Sequence, residues 1–144
     1  MLEKMLELIR THDICVLATT SEGLPHCSLM AYVCDDQCRH LYMATGRDSV
    51  KFRNLQKNPA VSLLVDTRET HRGGERAGTK ALTAAGVYEP MKNPVEIATI
   101  KSMLLAAHPQ LKVILETDAY EIISVKPTSF LLLDGLTEST FLEL

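Results

Sequence analysis

The stretch Leu41–Asp66, LYMATGRDSVKFRNLQKNPAVSLLVD, constrains the fold more than any other part of the chain. Its apolar run Leu41–Thr45 halts at Gly46-Arg47-Asp48, which predicts a strand ending in a tight polar turn. Asp48 or Ser49 can cap a following helix by accepting hydrogen bonds from its free N–H groups. That helix is expected to run to about Gln56 and to stop at Asn58-Pro59, because the residue before proline avoids the helical region. A second strand, Ala60–Val65, follows. A helix that begins beside a strand end presents unpaired N–H groups and a partial positive charge. Four bases, Arg47, Lys51, Arg53 and Lys57, surround this helix start against one acid, Asp48, in a chain of net charge −3. The combination predicts an anion site, with phosphate as the best-fitting anion.

A chain of 144 residues is long enough for one domain, 1–144, with a real core. It has no Trp and only 5% aromatic residues, so that core is aliphatic. Glu3 and Glu7 interrupt the apolar residues of the N-terminus, which argues against a signal peptide. No apolar run approaches the ~20 residues of a membrane span. The four cysteines have irregular spacing that does not suit a disulfide framework, and a reduced, cytoplasmic setting is expected. Residues 47–57 and 68–80 hold eight of the fifteen Lys and Arg, while six acids and one Lys lie from Glu116 onward. That basic excess is too small and too poor in aromatics to suit nucleic acid, and neither nucleic acid nor a membrane is expected as a partner.

Leu2, Met5, Leu6 and Ile9 fall at helical spacing, so residues 2–11 read as an amphipathic helix. Ile14–Thr20 and Pro25–Val33 read as strands joined by a hairpin through Ser-Glu-Gly-Leu-Pro. His40–Thr45 is the third strand. Residues 66–80 contain three glycines and read as a loop expected to be mobile. Ala81–Glu89 is a strand, and Pro94 opens a helix to about Ala107 with a broad apolar face, broken by His108-Pro109. Periodicity leaves Leu111–Glu116 open between helix and strand. Ala119–Val125 and Ser129–Leu133 read as two strands separated by Pro127. The sum is an α+β chain of six or seven short strands with flanking helices. Short connections make the sheet mostly antiparallel, and the number of strands suggests a barrel.

Ile14–Val65 resembles the pyridoxamine 5′-phosphate oxidase-like family of FMN-binding split barrels. ICVLATTSEGLPHCSLMAYV is similar to the family's first hairpin, and MATGRDSVKFRNLQKNPAVSLLV to its strand, Thr, Ser-x-Lys, helix, Asn-Pro, strand. The second half follows the family order more loosely. The resemblance implies a split β-barrel, a homodimer, and FMN at the subunit interface. Lys51 then matches the phosphate-binding lysine, and Thr45 and Ser49 match polar contacts to the phosphate and ribityl chain. The strand His26, Cys27, Ser28, Leu29, Met30 matches the one whose backbone runs along the flavin edge. Leu29 and Met30 are expected to place their side chains in the core. Arg47 lies in the phosphate-side turn without a firm counterpart. Val50 stands where many members have Arg, which Arg47 could offset by reaching in. Ala31 stands where the true oxidases have Lys, which argues against pyridoxamine phosphate as substrate.

The resemblance implies an oxidoreductase acting on an unidentified small molecule. Rival readings are a flavin-carrying or flavin-sensing module, the same groove holding deazaflavin or haem, and a cofactor-free dimer. Cys34-x3-Cys38 with His40 invites a metal, but no second Cys/His pair is near in sequence, and no metal is expected. His108 reads as a helix-end residue, and no nucleophile–base set can be assembled. That suits a flavoenzyme, where the cofactor carries the reaction and the protein supplies binding and orientation.

Overall fold

The structure, a computed structural model, describes residues 1–144. Helix α1, Leu2–Thr11, buries Met5, Leu8 and Ile9 and leaves Leu2 exposed. Strands β1 (Ile14–Ser21) and β2 (Leu24–Ala31) form a hairpin. Its turn is Glu22-Gly23 alone, with φ of 54° and 74°. Two left-handed residues in succession match the twist of the flanking strands, and glycine takes the second without a Cβ penalty. Then come β3 (Val33–Cys34), β4 (Leu41–Gly46), α2 (Val50–Lys57), β5 (Ala60–Asp66) and β6 (Lys80–Glu89). Helices α3 (Pro94–Ala107) and α4 (Lys112–Leu115) precede β7 (Tyr120–Asp134) and β8 (Glu138–Glu143).

The strands hydrogen-bond in the order β2-β1-β5-β6-β7-β4-β3, with β8 also on β7, and every pairing is antiparallel. Seven strands have six residues or more, and the two-residue β3 is an eighth. The curled sheet with its helices is the expected α+β split barrel. Leu111–Glu116, left open by the sequence, is helical: a 3₁₀ turn at Pro109–Leu111 runs into α4.

One expected boundary is wrong. Pro127 does not divide two strands; it lies inside the continuous fifteen-residue β7. The first part of β7 pairs with β4, up to Val125, and the last part pairs with β8, from Ser129. Proline therefore falls where the neighbouring strand changes. Opposite it, the β6 register shifts between Ala85 and Gly86, so Thr128 is the extra residue of a bulge. A Cβ on Gly86 would lie 2.9 Å from the Lys126 carbonyl oxygen, which explains the glycine there.

Alternation along the strands sends Cys15, Leu17, Met30, Met43, Leu63, Leu82, Ile123 and Phe130 into the main core. A smaller cluster on Tyr42, Ala44 and Ile122 is covered by Ile100 and Leu104 of α3 and Leu115 of α4. Ile97 and Met103 pack partly buried against the same cluster, so of the apolar face expected on α3 only Val95, 76% exposed, and Ala98 stand clear. His108 ends α3 and is buried, with Nε2 2.9 Å from the Tyr32 carbonyl oxygen. That contact fixes the helix end against the β2–β3 connection. No helix is long and apolar enough to cross a membrane.

Candidate functional site

The cradle foreseen at Arg47–Lys51 begins with a helix cap. Ser49 sits at the N-cap of α2 with extended backbone, and its Oγ accepts a hydrogen bond from Phe52 N–H at 3.2 Å. The same Oγ lies 3.0 Å from Oγ1 of Thr45, the buried penultimate residue of β4. Two hydroxyls that share one hydrogen bond keep one hydroxyl hydrogen free for another acceptor. Lys51, in the first turn of α2, is half-buried and has neither a salt bridge nor a hydrogen-bond partner. A lysine without a counter-ion, beside a helix N-terminus and a pair of hydroxyls, is chemically suited to a phosphate.

Arg47 is drawn elsewhere. Its Nε donates to Glu121 at 2.9 Å and an NH2 group to the Tyr120 carbonyl, both on β7. Filling the place of the arginine missing at Val50 would require Arg47 to exchange that pair. Arg53 is exposed and donates to the Asp48 carbonyl, bracing the turn from its solvent side.

Two residues that sequence reasoning did not single out join this site to β2. Asn54 of α2 donates its side-chain amide to Thr19 Oγ1 of β1 at 3.1 Å, and both are buried. Thr19 pairs across the ladder with His26. The two stretches chosen from sequence, His26–Met30 and Thr45–Lys51, are thus linked through Asn54 and Thr19. The available signal was a polar residue on the same helical stripe as Leu55, the buried stripe of α2.

Along β2, His26 and Ser28 are half-buried and Met30 is buried, all on the face shared with Thr19 and Leu17. Cys27 and Leu29 point to the opposite face. Leu29, expected in the core, is 75% exposed. The period of two that buries Met30 necessarily turns its neighbour outward. Leu29 there adjoins Ile14, Val16 and Leu64, the apolar floor of a cleft of about 760 Å³ whose rim carries Arg68, Arg72 and Arg76. The cleft is lined on β1 by Ile14 to Val16, about 10–17 Å along the strand from Thr19 at ~3.3 Å per residue. Loop 67–79 frames it. Thr67 Oγ1 receives the Lys80 N–H, the His71 ring contacts Thr67, Arg76 donates to the Arg68 carbonyl, and Arg68 chelates Asp66. Asp13, Asp66 and Glu69 balance the three arginines in the same cleft. A 3₁₀ turn at Arg76–Gly78 lies within the segment read as loop.

No three His, Cys, Asp or Glu side chains are grouped to hold a metal ion. His40 is instead held between Asp35 and Glu89, each at 3.2 Å, and stacks on Tyr42.

A family model described as pyridoxamine 5′-phosphate oxidase matches residues 1–131. A search of curated protein sequences finds no match. Among solved structures, the General Stress Protein 26 of Bacillus anthracis superposes with a TM-score of 0.74 at 22% identity, over 99% of this chain and 98% of that one. An FAD-binding protein of Mesorhizobium loti gives a TM-score of 0.71 at 19% identity, over 89% and 90% of the two chains. A heme binding protein of Mycobacterium smegmatis gives a TM-score of 0.81 at 19% identity, covering 96% of this chain and 57% of that longer one. At these identities the likeness is one of fold.

Proposed function

The chain belongs to the pyridoxamine 5′-phosphate oxidase family, and on that premise we propose that it is an FMN-dependent oxidoreductase acting on a small molecule. The observation that carries this reading is Lys51, half-buried and without a counter-ion, beside the Ser49-capped start of α2. These residues fit a phosphomonoester. Lys51 supplies the charge, the Thr45–Ser49 pair a free hydroxyl hydrogen, and the first turn of α2 its unpaired N–H groups. The backbone of β2 from His26 to Met30, whose half-buried His26 and Ser28 share the face linked to the cradle through Thr19 and Asn54, is where the ring system would be oriented. Bound there, FMN would supply the two-electron chemistry, taking a hydride from a reduced nicotinamide or from substrate.

The partner we propose is a second copy of the chain. The outer faces of β1, β2 and β5 leave Ile14 and Leu29 exposed beside Val16 and Leu64. A partner subunit laid on this apolar floor would exclude water from it. All four cysteines are free thiols, which fits a reducing, cytoplasmic setting. Ala31 stands at the end of β2 where a lysine would be expected in a pyridoxamine phosphate oxidase, so that substrate is not proposed.

The test is the absorption spectrum of purified protein titrated with FMN, followed by NADPH or NADH under anaerobic conditions. Stoichiometric FMN binding and bleaching of the flavin bands are the expected results. A Soret band in the isolated protein, with no FMN uptake, would replace this reading with haem binding. FMN binding without reduction by any nicotinamide or candidate substrate would leave a flavin-binding module.

A further inference from the structure

Cys34, the last residue of β3, and Cys38, in the connection to β4, are a pair of thiols that the proposed flavin site does not use. We propose that Cys34 and Cys38 are a reversible dithiol–disulfide couple, closed by exchange with a low-molecular-weight disulfide. Their Sγ atoms lie 3.2 Å apart, in contact and unbonded. Closing the bond requires them to approach by about 1.2 Å, to the usual ~2.04 Å. The connecting turn is already fixed. Cys38 N–H donates to the Asp35 carbonyl at 2.9 Å, and the Asp35 carboxylate accepts Arg39 N–H at 2.7 Å. Cys38 has φ of 53°, in the left-handed region where glycine or asparagine is the usual choice. In that conformation the Cys38 side chain is buried against Cys34, which is itself half-buried. The other two cysteines make no such pair. Cys15 is buried on the inner face of β1, and Cys27 is exposed on the outer face of β2.

The exchange balances without a further oxidant. The Cys34 thiolate attacks one sulfur of the reagent disulfide, breaking its S–S bond and releasing one thiol, which carries away the proton. The Cys38 sulfur then attacks Cys34 of the mixed disulfide and expels the second thiol. Two protein thiols are oxidised and one reagent disulfide is reduced to two thiols. Burial pushes the Cys34 thiol up to about 12, with Asp35 acting in the same direction and the Arg10 guanidinium of α1 against it. The buried Tyr32 hydroxyl also lies near the pair, donating to the Ile9 carbonyl. Closure through the Cys34 thiolate is therefore favoured by higher pH, as the thiolate fraction grows. Such a couple stays open in a reduced compartment and closes when the disulfide pool rises.

The experiment treats the full-length protein with glutathione disulfide at pH 8, alkylates the remaining thiols in denaturant, and maps the peptides by mass spectrometry. Cys34 and Cys38 are expected to lose alkylation together, to appear as one linked peptide, and to reopen with dithiothreitol. Cys27 reports ordinary surface exchange by taking up glutathione singly. Cys38→Ser should stop the reaction with glutathione on Cys34. The proposal is overturned if Cys34 and Cys38 remain alkylatable once exchange has reached equilibrium, at a glutathione disulfide concentration that closes a peptide of residues 32–42. It is also overturned if Cys34 links instead to Cys15 or Cys27. Neither result bears on FMN binding, so this test and that of the proposed function fail independently.

Discussion

Asn54 and Thr19 are joined by a buried hydrogen bond, 3.1 Å from Nδ2 to Oγ1, that ties the cradle helix α2 to the strand beside β2. Neither residue is required by the helix or by the strand alone. Their bond sets where the Ser49 cap and Lys51 stand relative to His26, which is Thr19's partner across the ladder. A site whose two halves come from different elements is only as well placed as the contact between them.

Removing the Asn54 amide should therefore cost more than one ordinary hydrogen bond. Asn54→Ala leaves the Thr19 hydroxyl buried without that partner, a loss of about 1–3 kcal/mol. Thr19→Val added to it should cost less than the sum of the two single changes, because both remove the same bond. Urea denaturation of the four proteins of this cycle measures the coupling. Additive effects would mean that the bond contributes nothing to the position of α2.

Gly86 gives a second stability prediction. In Gly86→Ala the new Cβ meets the Lys126 carbonyl oxygen at 2.9 Å and Val125 Cγ1 at 3.0 Å. The first is backbone within the β7 bulge and yields only if the bulge moves. A cost of about 1–3 kcal/mol is expected, as for other overpacked sites. Gly46→Ala is the control, since nothing lies within 4 Å of its Cβ position. It should stay within about 0.5 kcal/mol of the parent. Thermal unfolding of both variants decides the matter, and equal midpoints would contradict it.

The sequence made the local elements of this fold legible wherever punctuation and periodicity agreed. Gly46-Arg47-Asp48, Ser49 and Asn58-Pro59 mark the ends of β4 and α2 by backbone chemistry that needs no tertiary context. Pro127 misled because a proline stops a strand only where its missing N–H is needed, and here the bulge opposite Gly86 removes that need. Leu29 misled because two adjacent apolar residues on an edge strand cannot share a face, and what covers the outer one lies outside a single chain's pattern. Asn54 was overlooked because a polar residue in a charged helix looks like solvent-facing surface. Its burial depends on the hydroxyl of Thr19, thirty-five residues away. The contact of Cys34 with Cys38 was half legible. The spacing drew attention, but the left-handed conformation of Cys38 appears only in three dimensions.

Acid should weaken the fold through Asp66. Arg68 chelates this carboxylate, with Nη2 at 2.7 Å, and holds its pKa below the usual value of 3.8. The unfolded chain therefore takes up this proton at a higher pH than the native one does. The pair's contribution is complete above about pH 4 and is lost as pH falls through the lowered native value. Asp66→Asn should flatten the stability–pH curve below pH 4. Near pH 7 it should cost well under ~1 kcal/mol, because the Arg68 side chain is 61% exposed and the pair is screened. Urea midpoints at pH 3, 5 and 7 test this, and parallel profiles for variant and parent would refute it.

The cradle itself predicts how affinity depends on phosphate. Lys51 offers a charge with no competing carboxylate, and Ser49 and Thr45 keep a hydroxyl hydrogen to donate. Hydrogen bonds to a charged group are worth roughly 1.5–3 kcal/mol each. Riboflavin lacks the phosphate, so it should bind at least about tenfold more weakly than FMN, the ratio for ~1.4 kcal/mol. Lys51→Ala should lower FMN affinity by a similar factor and leave riboflavin affinity nearly unchanged. Arg53 braces the turn from its exposed side through the Asp48 carbonyl, so Arg53→Ala should change both affinities little. Fluorescence titration of the three proteins with the two flavins gives all six constants. If Lys51→Ala weakens both flavins equally, or if the parent binds them alike, then Lys51 is a surface residue and the phosphate is held elsewhere.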